Sequence, residues 1–180
     1  MSTNIVFTIG HSTRSIEDFL TLLIENAIEQ IADVRRFPGS RRHPQFCQDE
    51  FSKSLADAHI GYTHFLALGG RRSSPSEAKH NSPWRVAAFA AYADYMQTPE
   101  FAAEFNELRS LAGEKRTAIM CAEAVPWRCH RRLIADQFIA VGWQVLDIVG
   151  PHNTKPHELP PFAKIANGQV TYPGNPTLFD

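Results

Sequence analysis

Seven side chains between positions 121 and 132 could do chemistry. Cys121 and Glu123 follow a short apolar run, residues 117–120, that reads as a buried strand. Arg128, Cys129, His130, Arg131 and Arg132 precede residues 133–138, which read as the start of a helix. A thiol and a carboxylate therefore sit where a strand ends. A second thiol, an imidazole and three guanidiniums sit where the next helix begins. Open α/β sheets bind their ligands outside the carboxyl ends of strands, so this stretch marks the place of a site.

Three chemistries are compatible with it. Cys121 reads as a nucleophile if guanidiniums or a helix N-terminus stabilise its thiolate, with Arg128, Arg131 and Arg35 as the candidate partners. It reads equally as a free cysteine buried at a strand end. Cys129, near a helix start, gains from the helix dipole and could form a redox pair with Cys121. Metal binding would use Cys121, Cys129 and His130, with His11 or Cys47 added. Against it, adjacent residues on a helix point about 100° apart, so Cys129 and His130 are not expected to face one ion. Glu123 serves as a general acid or base, or as an ion-pair partner for an arginine.

Arginine outnumbers lysine thirteen to five, and eight arginines fall in the adjacent pairs Arg35-Arg36, Arg41-Arg42, Arg71-Arg72 and Arg131-Arg132. A guanidinium grips carboxylate or phosphate through a planar fork, which lysine does not offer. Arg35, Arg41, Arg42, Arg71, Arg128 and Arg131, with Ser12, are therefore the candidate anion-binding residues. Their expected partner is an anionic small molecule or a nucleic acid. The net charge of −1 argues against binding nucleic acid with the whole surface.

The elements that must position these residues alternate. Strands are expected at 5–9, 30–34, 62–66, 116–120 and 145–149. Helices are expected after Thr13 or Ser15, at 49–58 and at 84–96, from the Thr98-Pro99 cap to Gly113, and from Pro126 to Val141. The alternation predicts an α/β fold, a mostly parallel five-stranded sheet with helices on both faces in a Rossmann-like three-layer arrangement. A C-terminal hairpin is expected at Asn167-Gly168. The organisation reads as an α/β domain over 1–150 carrying the site. Residues 151–180 read as a proline-rich tail packed on the domain or extending from it. Residues 69–83 form a long polar connection.

If the sheet is parallel, the clusters Gly10-His11-Ser12, Asp33-Val34-Arg35, Leu68-Gly69-Gly70 and Cys121-Ala122-Glu123 converge on one edge. His11 would then orient a ligand or handle protons. Trp84, Trp127 and Tyr62 could stack on a base or sugar, and Trp143 reads as core. His152 and His157 carry no readable signal.

At 43% hydrophobic and 21% charged residues, the chain has the composition of an ordinary globular protein rather than a disordered one. No apolar run reaches the length of a membrane span. No signal peptide is expected from the N-terminal residues, and an odd number of cysteines suggests no disulfide framework. A reducing cytoplasm is the expected compartment.

Taken together, Thr8-Ile9-Gly10-His11-Ser12, Asp33-Val34-Arg35, Gly69-Gly70-Arg71, Cys121-Ala122-Glu123 and Cys129-His130-Arg131 resemble the bacterial and archaeal family known as domain of unknown function 488. The resemblance runs from the first strand through the fifth and implies a cytoplasmic α/β protein. It supplies signature residues, namely His11, Arg35, Cys121, Glu123, Cys129, His130 and Arg131, but no activity and no cofactor. Separately, Asn175-Pro176-Thr177-Leu178-Phe179 is similar to the peptides by which bacterial DNA-repair proteins dock on the sliding clamp, with Asn175 where those usually carry glutamine. The alternative is that Leu178 and Phe179 pack back on the domain.

The function expected is thus a cysteine-dependent enzyme acting on a phosphorylated, nucleotide or nucleic-acid substrate. The alternative is an arginine-rich nucleic-acid or nucleotide binding module without catalysis, linked to DNA repair. A third possibility is an interaction protein whose tail docks on a partner.

Overall fold

The computed structural model describes residues 4–39, 41–72 and 83–174. In chain order, β1 (Ile5–Gly10) leads to α1 (Ile16–Glu25), β2 (Gln30–Asp33), α2 (Gln48–Asp57) and β3 (Gly61–His64). Then come α3 (Ala87–Tyr95), α4 (Pro99–Glu114), β4 (Thr117–Cys121), α5 (Arg131–Ala140) and β5 (Gln144–Gly150). The chain continues through β6 (Asn153–Pro156), β7 (Lys164–Ala166) and β8 (Gln169–Thr171). Short 3-10 turns occupy Pro44–Phe46, Leu66–Leu68 and Pro126–Arg128.

The sheet order is β3-β2-β4-β1-β5-β6, with β1 to β5 parallel and β6 antiparallel at the edge. The α/β class and mostly parallel sheet match the expectation from the sequence. The sheet has six strands rather than five, because β6 lies in the proline-rich segment. Proline is tolerated on an edge strand, where one side of the backbone needs no ladder partner.

Successive side chains face opposite sides of the sheet, and the central strands are buried on both. Phe7, Ile9, Ile31, Ala118 and Met120 face Phe19, Leu22 and Leu23 of α1 and Phe51 and Leu55 of α2. Val6, Ala32, Ile119 and Cys121 face the other layer, built from α3, α4 and α5. Cys121 therefore points toward α5, and Asp33, two residues after Ile31, points toward α2.

Local signals account for the starts of α1 and α4. Ser15 caps α1 by accepting from the Asp18 amide, and Thr98 caps α4 by accepting from Phe101, with Pro99 in the first turn. Two expectations are corrected. The helix expected from Trp84 starts at Ala87, after the extended residue Val86, and Trp84 packs edge-on against Phe89, Phe162 and Tyr172. The helix expected from Pro126 breaks into a 3-10 turn, an extended Cys129 (φ −131°, ψ 143°) and then α5.

Residues beyond 150 join the fold closely. Asn167 and Gly168 both adopt positive φ (52° and 74°), as a two-residue type I′ hairpin requires, and close β7 on β8. Val170 and Tyr172 are buried in the α5-side core. His157, which carried no signal in the sequence, lies between two buried carboxylates. Its Nδ1 is 2.7 Å from Asp147 and its Nε2 is 2.9 Å from Asp136. Tyr172 donates to the other Asp136 oxygen at 2.6 Å, and Thr8 donates to Asp147 at 2.5 Å. Among the described residues no helix is long and apolar enough to cross a membrane. The clamp-like segment 175–179 lies outside the described residues.

Candidate active site

Parallel register aligns the strand ends. Gly10 pairs with Cys121, while Asp33 pairs with Met120 and with His64. The His11 amide donates to the Cys121 carbonyl at 3.0 Å, and the Ser12 amide to the Ala122 carbonyl at 2.8 Å. This zips the loop after β1 to the loop after β4. Gly10 is required by closeness: an added Cβ would overlap the Glu123 carbonyl oxygen and reach 3.0 Å from the Ala124 Cα.

Because α5 starts only at Arg131, Cys129 and His130 are not successive helical residues. The extended Cys129 and the helical cap His130 (φ −59°, ψ −20°) turn both side chains toward Cys121. The expected 100° divergence is thereby removed. His130 Nδ1 lies 3.8 Å from the Cys129 sulfur and 4.0 Å from the Cys121 sulfur. The three atoms all fall within 4.8 Å of one another. On the far side of the ring, Nε2 is 3.1 Å from both the Val34 and Leu68 carbonyls. Carbonyl oxygens only accept, so Nε2 carries the proton. Nδ1 is left facing the two sulfurs. Gly70 permits this packing, since a Cβ there would stand 2.8 Å from Nδ1.

The two thiols are not equivalent. The Arg131 backbone amide donates to the Cys129 sulfur at 3.5 Å, placing that sulfur at the positive end of α5. Burial works against the Cys129 thiolate, but the Cys121 thiol, His130 and the Arg131 charge outweigh it and hold the group well below the usual thiol range. Hydrogen bonding to Cys129 and burial push Cys121 well above that range. Between the two, the thiolate is favoured on Cys129. Cys121 is 8% and Cys129 3% exposed, so only one side of the cluster is open.

That side is a cavity of about 410 Å³ whose walls include Arg36, Arg71, Arg128, Glu123 and Tyr92, with Cys121, Cys129 and His130 among its lining residues. Arg36 and Arg71 also line a second cavity of about 370 Å³, where Arg72 lies 3.7 Å over the Tyr95 ring. Arg36 and Arg71 thus border two adjacent cavities, the second of which also carries Asp94.

The other candidate residues fall in different places. Arg35 reaches the cavity wall, but its guanidinium is committed to Asp33 (2.7 Å) and to the Phe46 carbonyl (2.8 Å), and Tyr62 adds a bond to Asp33. Burial opposes the Arg35 charge and the Asp33 carboxylate more than restores it. Arg131, expected to bind an anion, is 0% exposed and does not line the cavity. Its guanidinium donates to the Glu123 carbonyl at 2.6 Å, the Ala124 carbonyl at 3.2 Å and Thr8 at 3.5 Å, holding the loop after β4 from beneath.

His11 lies outside the cavity and stacks on Phe46 at 4.3 Å, with Nδ1 2.8 Å from the Ser12 carbonyl. Burial lowers its pKa to about 4, so it is neutral at physiological pH. Ser12 contributes its backbone at a positive φ of 52°. Arg41 and Arg42 are exposed and line neither cavity. Trp127 lines a separate cavity beside His157 and Lys155, and Cys47 precedes α2 outside the thiol cluster.

Arg36 and Tyr92 belong to the site without being candidate site residues in the sequence, whereas Gly70 lies in the Leu68-Gly69-Gly70 cluster expected at this edge. Arg36 stood in an arginine pair and Gly70 in a glycine pair. Tyr92 is one of several aromatics in an amphipathic, alanine-rich helix, where an aromatic reads as core.

A family model described as "Domain of unknown function DUF488" matches residues 15–138. No curated protein and no solved structure matches the chain.

Proposed function

We propose that this chain, which belongs to the DUF488 family, is a cysteine-dependent enzyme acting on an anionic, phosphate-bearing substrate, with Cys129 rather than Cys121 at its reacting centre. One observation carries the reading. The Cys129 sulfur receives the first amide of α5 and the approach of His130 Nδ1, at the wall of a cavity where Arg36, Arg71 and Arg128 outnumber the one carboxylate, Glu123. Thiolates are activated by helix N-termini and neighbouring cations.

Each residue has a part in this reading. Arg36, Arg71 and Arg128 hold the substrate's charge, and Glu123 at the cavity wall handles protons. Cys121 keeps the proton that Cys129 lacks. Arg131 and His11 position the loop after β4. Three free thiols suit a reducing cytoplasm.

A second reading, binding of nucleic acid without catalysis, is favoured by the two adjacent cavities that share Arg36 and Arg71. A trough that follows a backbone needs several adjacent cations.

The substrate class is tested by titrating the protein with a single-stranded oligonucleotide and with inorganic phosphate across a salt series. Affinity is expected to fall with salt. For the oligonucleotide, Arg71→Gln and Arg128→Gln should each reduce the slope by about 0.7, the value for one phosphate of a single strand that is no longer neutralised. If neither probe binds at low salt, the anionic substrate class is wrong.

A further inference from the structure

We infer that Cys121, Cys129 and His130 form a three-ligand site for a zinc-class divalent cation, with the fourth coordination position open to the arginine-lined cavity. The inference rests on the reading above for the place of the chemistry, and it assigns that place its cofactor. With the ion bound, the sulfurs ligate, and the reacting group becomes whatever fills the fourth position.

The ligand geometry is close to what such an ion needs. Zinc takes sulfur at about 2.3 Å and imidazole nitrogen at about 2.0–2.1 Å in a tetrahedron, which sets the S···N separation near 3.6 Å. The observed separations are 3.8 and 4.0 Å. Closing on an ion therefore requires shifts of only a few tenths of an ångström.

The donor chemistry is also selective. Two thiolates with one imidazole suit zinc and disfavour magnesium or calcium, which want oxygen ligands. Two thiolates also neutralise a divalent charge in a buried place.

The supporting shell is the second, independent observation. A ligating histidine usually donates its other ring N–H to a carbonyl or carboxylate, which fixes tautomer and ring orientation. His130 does this twice, to Val34 and Leu68. Those carbonyls come from the residue after β2 and from the 3-10 turn after β3, while the sulfurs come from the end of β4 and the extended residue before α5. Four segments thus fix one ring nitrogen, Nδ1, toward two sulfurs. Gly70 supplies the clearance the ring needs. Three protein ligands with an open side is the pattern of catalytic zinc, whereas structural zinc closes all four positions.

The test is a titration of the metal-free full chain with cobalt(II), followed by competition with zinc. One equivalent of cobalt should bind, with a thiolate-to-cobalt charge-transfer band and tetrahedral visible absorption, and zinc should displace it. Cys121→Ser, Cys129→Ser and His130→Ala should each weaken binding by more than the ~10–100-fold typical of outer-shell changes. Cys47→Ser should leave it unchanged. His130→Cys, which keeps three soft ligands, should retain the charge-transfer band and so separates ligation from folding.

Cobalt binding that survives loss of both Cys121 and Cys129 places the ion elsewhere and overturns the inference. If folded wild type binds no cobalt while Cys129 alkylates rapidly, the metal site is wrong and the thiolate reading stands. If it neither binds cobalt nor alkylates, both fall.

Discussion

His157→Gln should lower stability by about 3 kcal/mol at pH 7 and flatten its dependence on pH between 7 and 10. Both ring nitrogens of His157 face carboxylate oxygens, at 2.7 and 2.9 Å, so both carry protons and the ring is a cation. Burial opposes that charge, but the bonds to Asp136 and Asp147 outweigh it and lift the pKa from 6.5 to about 9. A group whose folded pKa is raised contributes stability fully below its unfolded pKa, and that contribution disappears as pH rises through the folded value. The contribution is therefore intact at pH 6 and lost between roughly 6.5 and 9, and a rise from 6.5 to about 9 corresponds to on the order of 3 kcal/mol.

Urea denaturation of wild type and His157→Gln at pH 7 and pH 10 measures this. Equal pH dependence in the two proteins would show that His157 is not the group responsible. The consequence is architectural. Asp136 lies on α5, Asp147 on β5, and His157 and Tyr172 beyond residue 150, so one buried cation ties the C-terminal segment to the helix that follows Cys129 and His130.

Arg131→Met carries the second large effect, an expected loss of about 2–5 kcal/mol, from leaving two backbone carbonyls without their charged donor. The side chain is fully buried, and its removal leaves the Glu123 and Ala124 carbonyls without the donor that holds them. Arg128→Met is the matched control. Arg128 is exposed at the cavity, so its loss should change stability by less than about 0.5 kcal/mol while weakening anion binding. Chemical denaturation and phosphate binding, measured on both variants, separate the roles. An Arg131→Met protein of wild-type stability would mean that the loop after β4 holds itself.

Much of this organisation is legible in the sequence. β-Branched runs at Ile5 and Ile31 and the apolar run to Met120 declare buried strands, and their alternation with capped helices forces a parallel sheet. A parallel sheet in turn gathers the residues after Gly10, Asp33, Leu68 and Cys121 at one edge. The polarity of the site is less legible, because it depends on breaks within elements. A continuous helix from Pro126 would separate Cys129 from His130. The extended Cys129 brings them together, and no residue type at 129 announces that conformation. The fate of each arginine is not legible either. Arg131 and Arg132 are identical in sequence terms, yet helical phase turns Arg131 inward under the loop after β4 while Arg132 lies over the Trp84 ring. Arg35 is claimed by Asp33 two residues earlier, and Arg36, beside it, is left for the cavity. His157 is silent because both of its partners, Asp136 and Asp147, are distant in sequence from the tail.

The central claim is that a reactive thiolate at Cys129 opens on an anion-binding cavity. It is tested most directly by alkylating the metal-free protein at neutral pH with iodoacetate and with the neutral iodoacetamide, reading each cysteine by mass spectrometry. Cys129 should label before Cys121 and should prefer iodoacetate over iodoacetamide relative to a free thiol. Inorganic phosphate should slow the reaction, and Arg71→Gln with Arg128→Gln should erase the preference. A Cys129 that stays unlabelled in the folded metal-free protein, or that labels with no preference for the anionic reagent, would contradict the account and leave the thiols as buried structural groups.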